Sequence, residues 1–207
     1  MRVPGAALVL LFATAVTAAQ SPVKTIEDGA LDKIQLFVPK LERTDIAVVM
    51  MAFDAGAADL GTGGKGGKEA RQQEAQTMMN EGPRVLGERF VATLQNLGPF
   101  KDVRVLKPGE PKPDDVLIIE GKFLTLDPGS RAKRYFAGFG AGKSSVKVAG
   151  TVKDAGGRTL ATFEQRRIGT MGMGGGDSLG KLMSDSRSIG EDIAKFLARW
   201  ARGEALD

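Results

Sequence analysis

Residues 135–154 read YFAGFGAGKSSVKVAGTVKD, and the fold turns on the path of the chain immediately after Lys143. The first part, Ala137 to Ser144, fits the loose form of the nucleotide-binding loop, a glycine tract ending in Lys-Ser or Lys-Thr. A working loop of that kind joins a buried strand to a helix, whose N-terminal amides and dipole hold phosphate. Upstream here is SRAKRYF, polar and basic where a buried strand would be apolar. Downstream, Val146, Val148 and Val152 fall on one face of an extended chain and Lys147, Thr151 and Lys153 on the other. Alternation of period two is a strand pattern, so a strand and not a helix comes after Lys143. The run IAVVMMAFD at 46–54 resembles a second nucleotide motif, but the loop it would serve follows no strand. No bound nucleotide and no cofactor is expected. The glycines are read as a connection, free to take positive φ and close backbone approach.

Working outward, Ala155-Gly156-Gly157 turns the chain from SVKVAGTVKD into TLATFEQRRI, which makes a β-hairpin. Before the glycine tract, Val116 to Leu126 is a strongly apolar strand ended by Asp127-Pro128-Gly129. Ile46 to Phe53 is a continuous apolar run, read as a central strand covered on both faces. The glycine-rich stretch at 55–69 comes next, then the helix formers of EARQQEAQTMMN. Leu86, Phe90, Leu94 and Leu97 then mark one face of an amphipathic helix, with Pro83 suited to its first turn and Gly98 to its end. Asp102 to Leu106 is a short strand, and strand–helix–strand order predicts a right-handed crossover between parallel neighbours. Ile34, Leu36 and Val38 suggest a short strand stopped by Pro39. A closing helix capped by Asp177 carries Leu179, Leu182, Met183, Ile189, Ile193, Phe196, Leu197 and Trp200 on one stripe and ends at Gly203. The expected fold class is α/β, in the two-layer α+β sense. It has a mixed five- to six-stranded sheet with two main helices packed mostly on one face.

The first nineteen residues have the layout of a signal peptide: Arg2, an apolar run from Ala6 to Val16, and small residues ending at Ala19. Residues 20–44 are expected as a polar leader and a possible edge strand, and 45–203 as a single α/β domain. No later segment is apolar enough to span a bilayer as a helix. The chain has no cysteine, which rules out a lipid anchor on cysteine, disulfides and cysteine proteases, and no histidine. Without His and Cys, Ser-His-Asp hydrolysis and the common zinc sites are excluded as well, and no metal is expected. The 29 basic and 25 acidic residues are spread along the chain, unlike the clustered charge of a nucleic-acid binder.

One ordered string carries a family resemblance. Glu120-Gly121, Asp127 to Arg131 with Arg134, Gly138 to Ser144, Val146 to Val152, Asp154 to Gly157 and Leu160 to Phe163 resemble the core signature of the domain of unknown function 4410 family. The resemblance covers roughly residues 45 to 200 in layout and is densest over 116–164. It implies an exported or lipid-anchored bacterial envelope protein without established activity. The fold is similar to small α/β modules of envelope accessory proteins, an analogy that assigns no function. This chain departs from lipid-anchored relatives by lacking Cys, and carries the glycine-rich insertion at 55–69.

The expected function is therefore that of a non-enzymatic envelope protein, periplasmic or secreted, that binds a partner or scaffolds an assembly. The candidate contact residues are Arg131, Arg134, Tyr135, Phe136, Phe139 and Lys143, cations beside aromatics on a pliant loop suited to an envelope protein or a membrane surface. The alternative is a carboxylate-dependent enzyme acting on a glycan or another envelope polymer, through Glu120, Asp127 or Glu164.

Overall fold

The structure, a computed structural model, describes residues 21–61, 68–107, 109–129, 143–169 and 178–207. The signal-peptide stretch 1–19 and the expected cap Asp177 lie outside them.

Seven strands and two helices are found among the described residues. In chain order they are β1 Lys24–Glu27, β2 Lys33–Leu36, β3 Ala47–Met51, α1 Lys68–Leu97, β4 Asp102–Leu106, β5 Val116–Asp127, β6 Ser144–Lys153, β7 Thr159–Gly169 and α2 Ser178–Ala201. They form one mixed sheet of order β1-β2-β7-β6-β5-β3-β4. β3 pairs in parallel with both β4 and β5, as a strand–helix–strand crossover requires, and every other pairing is antiparallel. The fold class is the expected one, with one strand more than the five or six anticipated.

The added strand is β1, inside the segment expected as polar leader. Only Ile26 of its four residues is buried, so the sequence offers no alternation to read. Its pairing with β2 makes β1 the edge and β2 an interior strand. A second difference concerns Pro83, expected in a first turn but found inside the 30-residue α1. The helix extends upstream because Ala75, Met78 and Met79 join the core, and Gly82 lies against Leu126 and Phe123.

One face of the sheet supplies Ile34, Val48, Ile119, Phe123, Val148 and Phe163 to the core, against Leu86, Phe90 and Leu94 of α1 and Ile193, Phe196 and Trp200 of α2. Burial of apolar area on that face is the main stabilising term, roughly 25 cal/mol per Å². Phe123, Phe53, Phe163, Phe196 and Trp200 form a chain of ring contacts through it. On the opposite face, a small cluster of Val49, Leu106, Val116 and Ile118 is buried. β3 is thus covered on both faces, as its unbroken apolar run predicts, though it is the penultimate strand and not a central one. The hairpin turn is tied by Asp154, whose Oδ1 accepts from the Arg158 N–H at 2.9 Å, while Gly157 takes φ 84°.

Candidate functional site

Lys143 is exposed, and β6 begins at the next residue. Ser144 pairs in register with Gly169 at the end of β7 and is fully buried. The last two residues of the nucleotide-like string thus part company, one in solvent and one packed beside α2. A Cβ on Gly169 would fall 2.1 Å from Ser144 Oγ and 3.4 Å from Asp185 Oδ2. Lys143 is the one expected contact residue within the described structure. Arg131, Arg134, Tyr135, Phe136 and Phe139 lie outside it.

Alternation places a second set of side chains together on the face of β2, β7, β6 and β5 away from α1 and α2. The register gives a first rung of Gln35, Thr162, Thr151 and Glu120, and a second of Lys33, Glu164, Ala149 and Lys122. Thr151 and Thr162 make the middle of the first rung low, and Ala149 does the same beside Glu164 in the second. The result is an open groove of about 520 Å³ lined by these two rungs and by Asp54.

All three of its carboxylates are already engaged. Glu120 accepts from Lys153 and, at 3.4 Å, from the Thr151 hydroxyl. Glu164 pairs with Lys147 at 2.6 Å. Asp54 accepts from the Gly56 N–H at 2.9 Å. Of the two lysines, by contrast, the side chain of neither Lys33 nor Lys122 has an ion-pair or hydrogen-bond partner among the described residues. Lys147 and Lys153 neutralise Glu164 and Glu120, while Asp54, in register with Lys122, keeps its charge. The four lysines Lys33, Lys122, Lys147 and Lys153 still outnumber the three carboxylates, which leaves the groove anion-accepting by local charge.

The same pairs decide the part each candidate acid plays. Glu120 leans toward Lys153, which stands in register with Ile118, away from the second rung. Glu164 leans the other way, toward Lys147, which stands in register with Arg166. Their strands are separated by β6, so the Cα atoms are two strand spacings apart, roughly 10 Å, before the offset along the strands is added. Glycosidase carboxyls stand about 5–9.5 Å apart across one bond. Asp127 is occupied structurally, because its Oδ1 accepts from the Gly129 N–H at 2.7 Å and Gly61 packs against the carboxylate where any Cβ would collide. The three acids are not brought together.

Carboxyls away from the groove are held below their usual range by guanidinium or ammonium partners: Asp45 by Arg43, Glu81 by Arg84, Glu110 by Arg104. Glu191 is held down to about 2 by Lys195 and then Arg89. No group of three or more Asp and Glu residues suited to a metal ion occurs among the described residues.

Sequence reading missed Lys33, Gln35, Lys122, Thr151 and Thr162 as a set. Each is the polar half of a strand alternation, and only strand order and register show that the four strands share one surface.

Comparison with known proteins adds a family and a few similar solved structures. The profile of the family described as Domain of unknown function (DUF4410) matches residues 42–173. No curated protein matches. Among solved structures, the PelC dodecamer from Paraburkholderia phytofirmans in space group P6 is similar, with 10% identity, a TM-score of 0.44, and coverage of 78% of this chain and 96% of that one. A substituted PelC dodecamer of the same organism in space group C2 gives 13% identity and a TM-score of 0.42, covering 77% and 97%. An uncharacterized protein gives 11% identity and a TM-score of 0.38, covering 75% and 94%. No residue role is carried over from these structures.

Proposed function

The chain belongs to the DUF4410 family, and from that premise we propose that it is an exported, non-enzymatic envelope protein that binds a partner. One observation carries the reading: among the described residues, the groove on the sheet face away from α1 and α2 has each carboxylate hydrogen-bonded to a structural partner and the side chains of two lysines free. Acid–base chemistry on a polymer needs a carboxyl poised at the bond to be broken, free to give or take a proton. Glu120 and Glu164 are instead neutralised by lysines that draw them apart. A binding surface needs only exposure, complementary charge and a rigid support, and a seven-stranded sheet supplies the last.

Export is supported by the leader layout, with processing expected after Ala19. Expression of the full chain, fractionation and N-terminal sequencing check this. A mature protein starting at Gln20 outside the cytoplasm is expected; an intact N-terminus in the cytosol would refute it. The purified mature chain should release no products from envelope glycans. In a pull-down from envelope extracts it should retain a specific partner in stoichiometric amount. Recovery of none, or glycan release abolished by Glu120→Gln, would overturn the binding reading.

A further inference from the structure

We infer that the groove across β2, β7, β6 and β5 takes an extended acidic polypeptide segment, laid across the strands with a carboxylate at each end. The inference rests on the binding reading above and assigns it a place and a ligand chemistry.

Lys33 and Lys122 stand at the two ends of one rung, with Glu164 and Ala149 between them. They are three strand spacings apart, roughly 14 Å between Cα atoms. An extended peptide advances about 3.3 Å per residue, so that span matches acidic residues four positions apart, and those point to the same side. The inner part of the groove suits a peptide backbone. Thr162 donates to Gln35 Oε1 at 3.2 Å, which leaves the Gln35 amide hydrogens to donate to a bound carbonyl. Ala149 gives the backbone room for close approach, and Glu164, held by Lys147, is turned away from the Lys33–Lys122 rung. Among the described residues the one aromatic lining the groove is Phe163, only 2% exposed with its ring packed into the core below, and it presents no ring face for a sugar to stack on. That favours a peptide over an anionic glycan of similar length.

The test uses the mature chain and a fluorescein-labelled decapeptide with Glu at every fourth position and Ser, Thr and Gly between. Fluorescence anisotropy is read at neutral pH. Saturable binding is expected, weakening as salt rises from about 50 mM to about 500 mM because exposed charges are screened. Replacing both lysines, Lys33→Gln with Lys122→Gln, should weaken binding about tenfold or more. The control is Lys107→Gln with Lys112→Gln, two exposed lysines on the β4–β5 connection, which removes the same net charge and should leave affinity within about twofold. Circular dichroism checks that each variant folds. No binding of the acidic peptide, equal loss in both double variants, or unchanged affinity in the folded groove variant would overturn the inference. An oligogalacturonate that binds more tightly and depends on the same lysines would overturn the peptide assignment. A partner recovered in the pull-down whose capture ignores Lys33 and Lys122 would sink this site while leaving the binding reading in place.

Discussion

Gly121 and Gly150 show how closely the sheet is packed beneath the groove. A Cβ on Gly150 would sit 2.4 Å from Phe163 Cζ and 2.9 Å from the Glu120 carbonyl oxygen. One on Gly121 would sit 2.5 Å from Phe53 Cε2 and 2.6 Å from the Ala149 carbonyl oxygen. The glycines leave room for the ring atoms of Phe53 and Phe163 in the middle of the sheet, a close approach that strand glycines often mark. Gly150→Ala should therefore destabilise the fold by about 1–3 kcal/mol, the usual cost of overpacking, as measured by urea unfolding. A neutral or stabilising change would mean that the rings are not seated there. The positions of both glycines were legible in the sequence as part of the family string, but the rings that require them were not. Phe53 and Phe163 meet Gly121 and Gly150 only after β3, β5, β6 and β7 have been ordered side by side.

Between elements, the junction of α1 and α2 turns on another glycine. Gly190 lies inside α2, where propensity alone favours Ala by roughly 0.5–1 kcal/mol. Here a Cβ would fall 2.3 Å from the Leu86 carbonyl oxygen and 3.2 Å from the Phe90 amide nitrogen of α1. Gly190→Ala should thus lower stability by about 2 kcal/mol or more, opposite in sign to the propensity effect. A raised Tm would contradict the close crossing. The same junction carries Glu191, which binds Lys195 on its own helix at 2.6 Å and Arg89 on α1. Its carboxyl titrates at about 2 in the folded chain against an ordinary 4.5. A depressed carboxyl stabilises above the unfolded value and loses that contribution as pH falls through the folded one. Glu191→Gln should cost about 1 kcal/mol near neutrality, the scale of screened surface pairs, with the difference fading between pH 4.5 and about 2. A deficit that persists at pH 2 would assign the loss to packing. At this scale the α2 stripe and the apolar strands were readable because each carries one clear period. β1 has too few buried residues to show a period, and Pro83 marked a false start because packing against Phe123 and Leu126 extends α1 past it.

At the scale of the whole sheet, the two helices among the described residues pack on one face and the groove lies on the other face of the antiparallel strands. The sequence contains both halves of each strand pattern, and its apolar halves identify the core. Its polar halves become a surface only through strand order: β7 and β6 stand between β2 and β5, so residues 33, 122, 151 and 162 meet from three distant parts of the chain. The glycine tract pointed instead to a site at 131–143, of which the described structure holds Lys143 alone. The most direct measurement is a chemical-shift map of the isotope-labelled mature chain titrated with the acidic decapeptide. Shifts confined to residues 33–35, 120–122, 147–151 and 162–166 are expected, with the outer faces of α1 and α2 unmoved. Shifts gathered on the helices, or none at saturating peptide, would contradict the claim that this protein works through the open face of its sheet.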